Sequence, residues 1–95
     1  MPIDGTLDLH TFQPKEIRTL VPDYLRECRE RGILEVRIVH GKGIGNLMRN
    51  VHALLGRMPE VVSFSLATEL YGGRGATIAR LKPRADAAEA FPGLK

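Results

Sequence analysis

Twice in this chain a strand-like apolar segment runs straight into an amphipathic helix, and that repeated order constrains the fold more than any other feature. Around Thr6–His10, Leu7 and Leu9 alternate with Asp8 and His10. This two-residue period predicts a short strand with the leucines on the core side and the polar pair together on the other. Pro14 then suits a first helical turn. Ile17, Leu20, Val21, Tyr24, Leu25 and Cys28 follow at helical spacing. Pro22 predicts a kink or two abutting helical pieces, because it lacks a donor and crowds the carbonyl of Arg18. Gly32 supplies a stop. The pattern then repeats. Ile33–Val39 reads as a central buried strand, and Leu47, Met48, Val51, Leu54 and Leu55 mark a second helix that Pro59 ends. Val61–Leu66 predicts a third strand with Val62, Phe64 and Leu66 inward, and Ala76–Leu81 a fourth after the glycine-rich turn at 70–75. The order βαβαββ predicts an α/β (α+β) two-layer sandwich, a four-stranded mixed sheet with both helices on one face.

A chain of 95 residues allows one domain. The expected division is a flexible start at 1–5, a folded domain over 6–82, and a tail at 83–95 that is disordered or docked on a partner. The single cysteine, Cys28, lies on the apolar stripe of the first helix and reads as core. With no possible internal disulfide, no membrane-length apolar run and no signal-like start, the expected compartment is the cytoplasm, away from membranes.

The net charge of +3 is modest but unevenly placed. Arg37, Lys42, Arg49 and Arg57 fall in a stretch without acids, and so do Arg74, Arg80, Lys82 and Arg84. This segregation predicts a basic patch for a polyanion. On the first helix the charges Arg18, Asp23, Arg26, Glu27, Glu30 and Arg31 are mixed in sign and read as a solvated face.

Three short blocks sit at or beside strand ends: Leu7-Asp8-Leu9-His10, His40-Gly41-Lys42-Gly43 and Gly72-Gly73-Arg74-Gly75-Ala76-Thr77. In open α/β sheets ligands gather at the carboxyl ends of the strands. In the second block Gly41, Gly43 and Gly45 precede a helix, so backbone N–H groups and the helix dipole can hold a phosphate, with Lys42 adding a full charge. A tight turn with glycines at positive φ is the alternative. The block lacks the Lys-Ser/Thr end of a nucleoside-triphosphate loop. Asp8 and His10 lie roughly 7 Å apart at Cα on one face. The aspartate can orient the imidazole, which can then move protons near neutral pH; a polar edge pair is the alternative. His40 is a second candidate proton carrier or a structural hydrogen-bonder. His52 reads as incidental. Arg49, Gly73, Arg74 and Gly75 are candidate phosphate contacts. One cysteine and three scattered histidines match no metal-ligand spacing.

Together, and in this order and spacing over Leu7–Leu81, the blocks resemble the signatures of the Smr (small MutS-related) family. The resemblance implies a fold like the C-terminal domain of the third bacterial translation initiation factor. It implies nucleic-acid binding, with DNA nicking or RNA cleavage in several members; others are joined to MutS2-type ATPases or to RNA-binding proteins. It points to Asp8, His10 and Lys42. The family often has glycine where this chain has Thr11, and a turn needing positive φ there would strain threonine.

The resulting expectation is an endonuclease, with RNA favoured over DNA because a 2′-hydroxyl supplies the nucleophile. His10 would move the proton, Asp8 would orient it, and Lys42 with the turn amides would stabilise the charged phosphorane. No cofactor is required, with magnesium or manganese admitted as a stimulant. The alternative is a non-catalytic adaptor for structured or branched nucleic acid. Besides nucleic acid, a larger protein or a ribosome-associated factor is an admitted partner.

Overall fold

The computed structural model describes residues 3–41, 46–67 and 75–84. Strand β1 (Thr6–Asp8) leads into helix α1 (Pro14–Glu30), β2 (Glu35–Val39), helix α2 (Asn46–Arg57), β3 (Val61–Leu66) and β4 (Ala76–Leu81). The sheet order is β1-β2-β4-β3. β1 and β2 are parallel, and β4 is antiparallel to both β2 and β3. This is the expected mixed sheet.

Both helices bury one stripe against the same sheet face. Ile17, Val21, Leu25, Val51 and Leu55 join Leu7, Val36, Ile38 and Ala79 in one core. The opposite sheet face carries exposed Thr6, Asp8, Glu35, Ser63, Ser65 and Arg80. Strand alternation alone produces this division, since residues one apart point to opposite sides.

The ends of α1 are closed by local bonds. The Gln13 N–H donates to Glu16 Oε2 at 3.2 Å, and the Glu16 N–H returns to the Gln13 carbonyl at 2.9 Å. At the other end Gly32 adopts φ +78°, its N–H donates to the Arg29 carbonyl, and the Ile33 N–H donates to that of Cys28. That paired closure is the Schellman arrangement, which needs glycine at the left-handed position.

Two local expectations change. α1 is one continuous helix through Pro22, not two abutting pieces; the carbonyl that loses its donor belongs to exposed Arg18. Val62 is 61% exposed, because a bulge between Val61 and Ser63 places Val61, not Val62, opposite Leu81 on the core side. Ahead of β1, residues 3–5 contact the core and α1. Ile3 packs on the core, and buried Gly5 donates to the Tyr24 hydroxyl at 3.2 Å. That hydroxyl in turn donates to the Thr6 carbonyl at 2.9 Å.

Among the described residues no helix is long and apolar enough to cross a membrane.

Candidate functional site

The register brings the described parts of the three sequence blocks, 7–10, 40–41 and 75–77, to one edge of the sheet. Asp8 pairs with Val39, and the next residue, Leu9, donates to the Val39 carbonyl at 2.9 Å. His40 and Gly41 both donate to the Gly75 carbonyl at 2.9 Å. The ends of two parallel strands and the start of the antiparallel one are therefore tied by backbone bonds. Gly41 has φ +81°, a conformation that a Cβ would strain.

Asp8 faces the open side of this edge. Its Oδ1 accepts the His10 backbone N–H at 3.0 Å and lies 2.6 Å from His10 Nδ1. These two bonds, the backbone one first, hold the Asp8 carboxyl below its usual range. Because the carboxylate is an acceptor, Nδ1 carries the proton of the neutral ring, and Nε2 keeps a free lone pair. The side chains of His10 and Asp8 are 72% and 51% exposed, so that lone pair is open to a solute. The turn after it closes through Phe12 N–H to the Leu9 carbonyl at 3.0 Å. No described residue other than glycine has positive φ, so Thr11 carries no such strain.

The covered side of the same edge holds a different arrangement. His40 is 6% exposed and Thr77 fully buried. His40 Nδ1 lies 3.0 Å from the Gly41 carbonyl, and its Nε2 lies 2.8 Å from Thr77 Oγ1. His52 Nε2 reaches the same hydroxyl at 2.8 Å, with its ring 5.0 Å from that of Phe64. A carbonyl only accepts, so His40 Nδ1 is the protonated nitrogen of its neutral ring and its Nε2 accepts from Thr77. The Thr77 oxygen then accepts from His52. The chain runs His52 to Thr77 to His40 to Gly41, with every polar atom named here engaged. Burial first, and the nearby His40 second, push the His52 pKa down.

Sequence reasoning missed His52. A flank position on α2 carries no signal of a partner, and only the fold brings it over Thr77. His40, named as a proton carrier, has both ring nitrogens engaged internally. Arg49 is exposed on α2. The Gly75 carbonyl accepts from both His40 and Gly41. Lys42, Gly43, Gly45, Gly73 and Arg74 lie outside the described residues. Among the described residues no three His, Cys, Asp or Glu side chains gather as a metal-ligand set.

The Smr domain family model matches residues 7–82. A crystal structure of the Smr domain of Thermus thermophilus MutS2 superposes with a TM-score of 0.79 at 34% identity, covering 84% of this chain and all of that one. YdaL, a stand-alone small MutS-related protein from Escherichia coli, superposes at 0.76 with 28% identity, over 85% of this chain and 66% of that one. Endonuclease MutS2 of Halothermothrix orenii is 36% identical over 80 residues, which is 84% of this chain but 10% of that protein.

Proposed function

This chain belongs to the Smr domain family, and from that premise we propose that it is an endonuclease that cleaves RNA through the Asp8–His10 couple. The observation that carries the reading is the 2.6 Å contact between Asp8 Oδ1 and His10 Nδ1 at an exposed sheet edge. In the neutral ring this contact selects the tautomer with its proton on Nδ1 and a lone pair on Nε2, which is the form a general base requires. The similar MutS2 of Halothermothrix orenii carries the word endonuclease in its name, which supports phosphodiester chemistry as the reaction class.

On RNA the step needs few groups. His10 Nε2 takes the proton from a 2′-hydroxyl, and that oxygen attacks the adjacent phosphorus. The bond from phosphorus to the 5′-oxygen breaks. The departing oxygen takes a proton from water, and His10 returns its own to solvent. The products are a 2′,3′-cyclic phosphate and a free 5′-hydroxyl. Asp8 holds the ring and offsets the imidazolium charge. Lys42, directly after Gly41 in the chain, is assigned to the charge on phosphorus. DNA has no 2′-hydroxyl, so nicking it would need an activated water.

The test is incubation of the purified chain with end-labelled single-stranded RNA and with supercoiled plasmid, with and without chelator, beside His10→Ala, Asp8→Ala and Lys42→Ala. Cyclic phosphate ends that disappear with His10→Ala support the proposal. Binding without any product would make the chain an adaptor instead. Cleavage at full rate by every variant would assign the activity to a contaminant.

A further inference from the structure

The two helices leave a groove of about 590 Å³ between them, lined by Pro14, Lys15, Ile17 and Arg18 of α1 and by Asn50, Ala53, Leu54 and Arg57 of α2. Its charges are all of one sign. Lys15, Arg18 and Arg57 are exposed, and no acid lines the groove. The far end of α1 is different. There Arg26 pairs with Glu60, Arg31 with Glu27 and Arg84 with Glu30, while Arg29 donates to the Lys82 carbonyl. Among the described residues, none of the three groove cations has such a partner. The mixed charge along α1 in the sequence is therefore sorted by the fold into a neutralised end and a cationic end.

We infer that this groove is a second contact surface for the nucleic-acid substrate and binds its phosphodiester backbone; the inference rests on the nucleic-acid reading above. Charge complementarity selects the occupant. An acid-free groove with three unpaired cations and an amide at Asn50 favours a polyanion over an apolar partner. Of its larger apolar side chains Ile17 is buried and Leu54 half-buried, leaving Pro14 exposed at the start of α1. Glu16, the acid of the first turn of α1, does not line the groove and is bonded to the Gln13 N–H. Asn50 to Arg57 covers ~10 Å of helix axis. One strand of a duplex presents a phosphate every ~3.4 Å of axis, so the groove matches about three. α1 begins just beyond the turn that carries His10, so Pro14, Lys15 and Arg18 lie within eight residues of it in the chain.

The experiment measures binding of a fluorescein-labelled RNA hairpin by anisotropy across a salt series. It compares wild type, Arg18→Gln/Arg57→Gln, and a charge-matched control, Arg26→Gln/Arg31→Gln, whose arginines are paired with Glu60 and Glu27. The groove variant is expected to lose ~10-fold or more in affinity, with the slope of log K against log salt shallower by about two. The control should stay near wild type. A groove variant with wild-type affinity and slope overturns the inference, and if it still cleaves, the nuclease reading stands alone. Salt-sensitive binding that the groove variant loses, with no cleavage by wild type, keeps the groove and removes the nuclease. Amide NMR of the unaltered protein gives an independent readout: RNA should shift Lys15, Arg18, Ala53 and Arg57, and unmoved signals there overturn the inference.

Discussion

The two sides of one sheet edge use histidine in opposite ways. On the open side His10 is tied by one nitrogen to Asp8 and presents the other to solvent. On the covered side His40 has both nitrogens bonded internally, to Gly41 and Thr77. The residue type is the same and the two sites are adjacent through the Leu9–Val39 bond. What differs is the side of the strand on which each falls. A histidine facing water can exchange protons with a substrate, whereas one sealed under a helix satisfies its neighbours and fixes their positions. The solvent-facing histidine and the internally bonded one thus lie on opposite sides of the sheet.

The largest effect should come from the open side. His10→Ala should lower cleavage by about a hundred- to ten-thousand-fold while leaving the melting temperature unchanged, since the ring supports nothing beneath it. Rates from end-labelled RNA and a thermal melt on the same sample check both halves. A variant that melts early would break the comparison by making His10 structural. Asp8→Asn should give a smaller loss than His10→Ala, because an amide oxygen can still hold the ring but cannot offset its charge.

Next in size is the covered side, with the two readouts reversed. Thr77→Val keeps the shape and removes the hydroxyl between the two rings. It leaves His40 Nε2 without a donor and His52 Nε2–H without an acceptor. Leaving such buried groups unsatisfied costs about 2 kcal/mol, or roughly 10 °C in a domain of this size. Calorimetry measures the shift. Cleavage per folded molecule should fall far less than in His10→Ala. Full stability in Thr77→Val would show that the chain of bonds contributes nothing, and the division across the sheet would lose its scaffold.

Much of this was legible in the sequence, for a physical reason. Strand and helix periods are properties of local spacing, so the bounds of β3 and β4 and the start of α1 could be read directly. So could the Asp8–His10 couple, because residues two apart on a strand share a face whatever surrounds them. Val62 could not be read, because a bulge depends on how β3 registers against β4. The bond from His52 to Thr77 spans two elements and leaves no trace in either. Nor does the sorting of charge along α1, since the partner of Arg26 is Glu60, in the turn before β3. What escaped is whatever depends on two segments meeting.

The smallest expected effect tests whether the covered chain is held in its neutral form. The His52 pKa lies below its ordinary 6.5, mainly because burial penalises the imidazolium and secondarily because His40 is near. In the unfolded chain that penalty is absent. As pH falls below 6.5 the unfolded state takes up the proton more readily than the folded one, so stability is lost with acidification and is fully present above that value. The depressed carboxyls of Asp8 and Glu60 act in the same direction, but only as pH falls below their ordinary 3.8 and 4.5. The interval from 6.5 to about 5 therefore isolates the histidine contribution. His52→Gln keeps an N–H for Thr77 and removes the titration. Thermal melts across that interval should show wild type declining more steeply than His52→Gln, by a few degrees at its lower end. Parallel declines would mean that His52 admits a proton freely, and that the covered side is less sealed than its bonding pattern implies.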